Sequence, residues 1–275
     1  MTHDYEKAKI LIWGKTYPEL SASHTETVCT GGVRENGLPI RLYPIPLRYL
    51  DGSQQFSLYQ WIEAEIAKDH RDPRPESYRV KEGSIILGEP VPSTSDEWGK
   101  RAEYVLKSSS WQFSSVEELW EKRKVDNTSL GIVIPKQIKS ITELKRSAEE
   151  RDEFERKFED LKVRHEAKQA QVPLFETGDP LPDLKKLAFP EFRFQVEWLC
   201  HGAECNGHTM KILDWGLGEL ARKVGVDDTL KKLNSICDIE TNALKFFLGN
   251  IKAHPDAFTI VGLWYPKKDQ TPRLF

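Results

Sequence analysis

Residues 192–220 constrain the fold most, because they predict a β-hairpin with two cysteines and a histidine in its turn. Apolar residues at positions 192, 194, 196 and 198 alternate with polar ones, which is the pattern of a strand with one buried face. The turn is rich in Gly and Asn, and a second short strand is predicted at residues 209–213. The hairpin therefore brings Cys200, Cys205 and His208 to one tip.

The three residues at this tip predict a Zn²⁺ site, because thiolate and imidazole are ligands that zinc prefers. The usual zinc signature has two ligand pairs, and the second pair is missing here. The fourth ligand could be water or one of four residues, namely His201, Cys237, His254 and Cys29. We choose Cys237, which belongs to the same part of the chain. The alternatives are a polar turn without metal and a catalytic site with an open coordination position.

The whole chain predicts an α+β fold in three parts. Residues 1–90 contain short strands separated by turn signals, which is typical of a small β-barrel, of the OB or PUA-like kind by analogy. Residues 91–172 form a helical middle region. Residues 173–275 form a C-terminal α/β module that contains the Cys/His hairpin.

Several helices are predicted within these parts. Residues 141–170 give the longest amphipathic signal, with acids and bases interleaved on the polar positions. This helix has either a solvated charged face or a surface that docks a protein partner. A further helix is predicted at residues 241–253. Ser114 or Ser115 is expected to cap one helix and Asp214 another.

Arginine and tyrosine are concentrated in the first part and predict a nucleic-acid surface. Guanidinium groups bind phosphates and aromatic rings stack on bases. The predicted contacts to DNA or RNA are Lys15, Arg41, Tyr43, Arg48, Arg71 and Arg74. The alternative is that these arginines are solvated or paired, because acids are as numerous as bases in this region. The net charge of −3 means that any such contact depends on a local patch.

An enzyme is the second interpretation of the hairpin. Glu197 and Asp214 flank the turn, and together with His208 they could serve a metal-dependent hydrolase or nuclease. Their spacing does not match the usual nuclease pattern. His24 and Glu26 resemble half of a zinc deaminase signature, but the Pro-Cys-x-x-Cys segment that completes it is missing.

The expected localisation is cytoplasmic, with no membrane partner. The first residues show no signal-peptide pattern, and no apolar run approaches the ~20 residues that span a bilayer. We therefore expect the four cysteines to be free thiols or metal ligands. The preferred function is nucleic-acid binding with a structural zinc. The alternatives are the hydrolase or nuclease and a protein-interaction subunit of a multi-component system.

Overall fold

A closed barrel forms the first part of the computed structural model, which describes residues 4–92, 97–170 and 183–268. The strands of this part are β1 (Glu6–Lys15), β2 (Glu19–Ser21), β3 (Thr25–Arg34), β4 (Pro39–Ile45), β5 (Gln60–Lys68), β6 (Ser77–Val80) and β7 (Ile86–Pro90). Five of them follow one another in the order β1-β3-β4-β6-β5, and β5 pairs again with β1. The predicted barrel is therefore confirmed, and β2 and β7 are additional strands that pair with β3 and β5.

A second seven-stranded sheet and five α-helices complete the described structure. The elements in chain order are α1 (Glu97–Val105), β8 (Gln112–Phe113), α2 (Val116–Asp126), β9 (Leu130–Val133), β10 (Gln137–Lys145), α3 (Ala148–Ala170), β11 (Phe192–Leu199), β12 (His208–Ile212), α4 (Trp215–Val224), α5 (Val226–Ile236), β13 (Lys245–Ile251) and β14 (His254–Trp264). The strand order is β10-β11-β12-β14-β13-β9-β8. The helical middle region thus also supplies three strands to this sheet, and the α+β prediction is confirmed.

Strand β1 connects the two sheets because it is buried on both faces. Ile10 and Ile12 belong to the apolar interior of the barrel, whereas Leu11 and Trp13 belong to the core that covers the second sheet. The Trp13 ring lies 4.6 Å from that of Phe247 in β13. The barrel and the sheet therefore share a continuous apolar interface.

The prediction of a helix at residues 241–253 is wrong, because this segment contains β13. β13 lies between β14 and β9, and Phe246, Phe247 and Leu248 in it have no exposed surface. A short apolar run fits a buried helix or a buried strand equally well by periodicity. Pairing with β14 and β9 makes this segment a strand.

The long helix predicted at residues 141–170 begins later than expected. Residues 141–145 pair with β11 as the end of β10. A reciprocal capping box then starts α3: the Glu150 N–H donates to Ser147 Oγ, and the Ser147 N–H donates to Glu150 Oε2, both at 3.2 Å. The predicted boundary was wrong because strand and helix both carry interleaved charges here.

Candidate metal centre

The β11–β12 hairpin positions the predicted ligands. The strands are antiparallel, and Trp198 stands opposite His208 in their register. Cys200 follows the end of β11, so the loop that carries Cys205 returns the chain to His208 after a few residues. The His208 ring lies 5.1 Å from that of Trp198, which packs in turn against Phe246 at 4.9 Å. The imidazole is thus fixed by the core of the sheet.

A fourth group arrives from the first turn of α2. Ser115 caps this helix by accepting a hydrogen bond from the Glu118 N–H at 3.1 Å, as the sequence predicted. The Glu118 carboxylate turns back and accepts from the N–H and hydroxyl of Ser114, both at 2.7 Å. Glu118 is thereby occupied with the cap, and its neighbour Glu117 is directed towards the hairpin tip. Gly202 allows this approach, since a Cβ there would lie 2.9 Å from Glu117 Oε2.

Four potential ligand atoms converge at the tip. They belong to Glu117, Cys200, Cys205 and His208, and all lie within 4.8 Å of one another. His208 Nε2 is 3.3 Å from each sulfur and 3.4 Å from Glu117 Oε1. The Cys200 sulfur is 3.2 Å from Glu117 Oε2. The group is close enough to hold a metal ion.

These distances are compatible with a metal ion at the centre of the group. In a neutral imidazole, Nε2 either donates one proton or accepts one from a thiol S–H, so hydrogen bonds would link these four groups only in pairs. For Zn–S of ~2.3 Å and Zn–N of ~2.0–2.1 Å, tetrahedral geometry separates sulfur from nitrogen by about 3.5 Å. Both observed sulfur–nitrogen distances are near this value. The donor set of two thiols, one imidazole and one carboxylate also matches zinc chemistry.

Burial sets the protonation of these groups. It raises the pKa of the Cys200 thiol to about 11, although the backbone N–H groups of Val116 and Gly202 oppose the rise. Burial also lowers the pKa of His208, so its imidazole is neutral at pH 7. For Glu117, burial acts to raise the pKa, but hydrogen bonds, including one from Cys200, outweigh it and the pKa is lowered. Imidazole and carboxylate are thus ready to bind a cation, whose charge would promote loss of the thiol protons.

Cys237 is not a member of this group of four. It caps the C-terminal end of α5, where its N–H donates to the Leu233 carbonyl at 2.9 Å. Burial alone raises its thiol pKa to about 12. Glu117 occupies the place that the sequence analysis gave to Cys237. No local signal could have found it, because Glu117 lies 83 residues before Cys200 and on a helix that the hairpin meets only in the folded chain.

Glu197 and Asp214 are not part of the group either. Glu197 faces away from the core side of β11, where it accepts from the Ser140 hydroxyl at 3.3 Å and lies 3.7 Å from Lys139 Nζ. Asp214 caps α4 and accepts from the Leu217 N–H at 2.8 Å, which confirms the predicted cap. Within the described ranges, the acids of the hydrolase hypothesis are therefore not gathered around a metal site.

Two of the predicted nucleic-acid contacts lie in the interior. Arg41, only 4% exposed, donates to the carbonyls of Asn250 at 2.9 Å and Ser129 at 3.1 Å. Arg74, 8% exposed, donates to the same Asn250 carbonyl at 2.8 Å and pairs with Asp72 at 2.6 Å. These arginines join the barrel to the second sheet and are closed to a polyanion.

The other four predicted contacts are more accessible. Lys15 donates to a main-chain carbonyl of the barrel at 3.0 Å, and Arg48 lies 3.2 Å from the buried carboxylate of Glu26. The Arg71 side chain is 70% exposed, and Tyr43 is 42% exposed. Nucleic-acid binding stays a prediction, and it now depends on these residues.

Helix α3 contains most of the segment for which protein binding was predicted. Its Leu161 is buried and its Val163 is exposed, and that partner stays a prediction. In the part of the chain that the structure describes, we find no helix with the length and apolar character of a membrane span.

Two family models match adjoining parts of the chain. One covers residues 6–107 and is described as Domain of unknown function (DUF8758). The other covers residues 112–275, more than half of the chain, and is described as Domain of unknown function (DUF8757). No curated protein shows significant similarity to this sequence. All four residues of the candidate metal centre lie in the second matched region.

Proposed function

The chain belongs to the family described as Domain of unknown function (DUF8757), and we propose that the region shared with that family binds one Zn²⁺ ion through Glu117, Cys200, Cys205 and His208. The observation that carries the proposal is the position of His208 Nε2, 3.3 Å from two sulfurs and 3.4 Å from a carboxylate oxygen. Hydrogen bonds would join these groups only in pairs, whereas one cation can contact all four ligand atoms at once.

The role proposed for the ion is structural. Four protein ligands complete a tetrahedral shell and leave no position for a reacting water. Cys200 and His208 are also buried, at 1% and 8% exposure. The ion would fasten the hairpin tip to the first turn of α2, two elements that are far apart in sequence. Metal binding of this kind contributes directly to the free energy of unfolding.

Metal analysis of the purified protein tests the proposal. We expect about one zinc per chain, and we expect Cys205→Ser to lose most of it, because a hydroxyl is a much poorer zinc ligand than a thiolate. Cys205 is only partly buried, so this variant should still fold. Chelation of the wild type should lower its melting temperature, with a much smaller effect on Cys205→Ser.

Neighbouring glutamates supply a matched pair of variants. Glu117→Gln removes a charged ligand and should weaken zinc binding, measured by competition with a chelator. Glu118→Gln keeps a residue that can close the capping box and should leave zinc binding unchanged. Two results would overturn the proposed set of ligands. One is that the protein holds no zinc after growth and purification with zinc, and the other is equal zinc affinity in the two variants.

A further inference from the structure

A cleft of about 420 Å³ lies at the end of strands β11 and β12 that is opposite to the hairpin tip. Its walls come from the segment around β2, from Arg146 after β10, from α3, from the start of β11 and the end of β12, and from the start of α4. The cleft is thus formed by residues of both family regions. Its volume is within the ~300–1,000 Å³ that is usual for small-molecule sites.

Two guanidinium groups in this cleft share one carboxylate oxygen. Arg193 Nη1 lies 2.7 Å from Glu150 Oε1, and Arg146 Nε lies 3.3 Å from the same atom. The other oxygen of Glu150 accepts from the Ser147 N–H in the capping box of α3. Among the described residues, no other carboxylate pairs with either arginine, so the two positive charges share one negative charge.

The unused donors of the two arginines are available to a ligand. Within the described structure, Arg146 has no hydrogen-bond partner for its two Nη groups, and Arg193 has none for Nε and Nη2. The arginines are held close together, since Arg193 is opposite Leu144 in the β10–β11 register. Burial and the neighbouring charge of Arg193 lower the pKa of Arg146, whereas the carboxylates of Glu150 and Glu191 oppose that shift.

The remaining charges around the cleft are mostly engaged elsewhere. Lys157 pairs with Glu153 at 2.6 Å, and Asp214 accepts from the first turn of α4. Glu19 is exposed at the rim. The lining as a whole has four acids and three bases, and its positive charge is localised at Arg146 and Arg193.

Apolar groups line the cleft beside the two arginines. Phe154 and Leu217 contribute from α3 and α4, and Phe194 and Ile212 contribute from the hairpin strands. The Arg146 guanidinium also stacks on the Phe189 ring, with 4.1 Å between them, which fixes its plane. The cleft therefore combines an oriented pair of cationic forks with an apolar wall.

We propose that this cleft binds a small organic anion, with its carboxylate or phosphate group on Arg146 and Arg193 and its apolar body against Phe154 and Leu217. Guanidinium forks match the geometry of both anionic groups. The bound anion would supply the negative charge that Glu150 alone does not. This site is independent of the proposed zinc, because neither arginine is a candidate metal ligand.

Binding and melting measurements with simple probes test the proposal. Benzoate and inorganic phosphate are titrated into the full chain, with benzamide as the uncharged analogue of benzoate. We expect benzoate, phosphate or both to raise the melting temperature and benzamide not to. Arg193→Gln should weaken binding of the active probe by roughly tenfold or more, the effect of losing a charge-assisted hydrogen bond.

Further variants make the test selective. Arg146→Gln should act as Arg193→Gln does, whereas Arg156→Gln should bind like the wild type, because Arg156 is exposed on α3 and donates to the helix carbonyl of Asp152. A response to benzoate alone identifies a carboxylate ligand, and a response to phosphate alone identifies a phosphate ligand. No response to either probe, an equal response to benzamide, or unchanged binding in both cleft variants overturns the proposal. The zinc content of each sample is measured in parallel, so failure of the metal site is recognised separately.

Discussion

Replacing Arg74 with alanine should destabilise the fold by about 3 kcal/mol, because it leaves a buried carboxylate without its cation. The Arg74 guanidinium makes three hydrogen bonds to Asp72, at 2.6, 2.9 and 3.1 Å. Both side chains are 9% exposed. The Asn250 carbonyl, which Arg74 also contacts, keeps a donor in Arg41. The loss should therefore fall mainly on Asp72.

The pKa of Asp72 gives the magnitude. Burial acts to raise it, but hydrogen bonds from Arg74 outweigh this and lower it from 3.8 to about 2. A depression of this size corresponds to roughly 2 kcal/mol at about 1.36 kcal/mol per pH unit. Removing one member of a buried pair typically costs about 3–5 kcal/mol in total. An effect of about 3 kcal/mol agrees with both figures.

The sign of the pH dependence follows from the same shift. A carboxylate with a depressed folded-state pKa contributes stability that is present above its unfolded-state value, near 4, and is lost as the pH falls through about 2. The difference between wild type and Arg74→Ala should thus be constant from pH 7 to 5 and shrink from pH 4 towards 2. Urea unfolding followed by tryptophan fluorescence measures it.

Arg71→Ala is the matched control, since this nearby side chain is 70% exposed. Its expected cost is below about 0.5 kcal/mol. Equal costs for the two variants, or a cost of Arg74→Ala that does not change between pH 5 and 2, would refute the inference that Arg74 acts by pairing with Asp72.

Three further predictions concern the metal centre and the cap of α4. Gly202→Ala should weaken zinc binding in chelator competition, because its Cβ would meet Glu117 Oε2 at 2.9 Å. Gly52→Ala is the control, since a Cβ there has no atom within 4 Å, and equal zinc affinities of the two variants would contradict the prediction. Zinc affinity should fall as the pH is lowered from 8 to 6, since the raised pKa of Cys200 makes protons strong competitors for its sulfur, and a pH-independent affinity would exclude thiolate ligation. Asp214→Ala should cost about 1 kcal/mol in urea unfolding at pH 7 through loss of the cap, whereas Asp214→Asn should be at least as stable as the wild type. The expectation for Asp214→Asn follows because burial raises the pKa of Asp214 in the folded protein. Above the unfolded-state pKa, the ionised carboxylate therefore costs stability that a neutral amide does not. A marked loss of stability in Asp214→Asn would refute this reasoning.

Local patterns in the sequence determined the elements that depend on interactions between residues close together in the chain. The alternation at residues 192–198 predicted strand β11, and the short turn between the strands brought Cys200, Cys205 and His208 together. The caps at Ser115 and Asp214 could be predicted for the same reason, since a cap depends on a side chain and an N–H within three residues of it. Short strands with turn signals predicted the barrel.

Only the tertiary structure decided features that depend on distant partners. Glu117 joins the thiols because α2 packs against the hairpin, a contact that no spacing in the sequence encodes. Arg41 and Arg74 have the residue type of a phosphate-binding surface, but they are buried because the second sheet covers that side of the barrel. Segment 245–251 is a strand because two neighbours satisfy its backbone. Each outcome is set by burial and pairing between residues far apart in sequence, which periodicity and propensity do not measure.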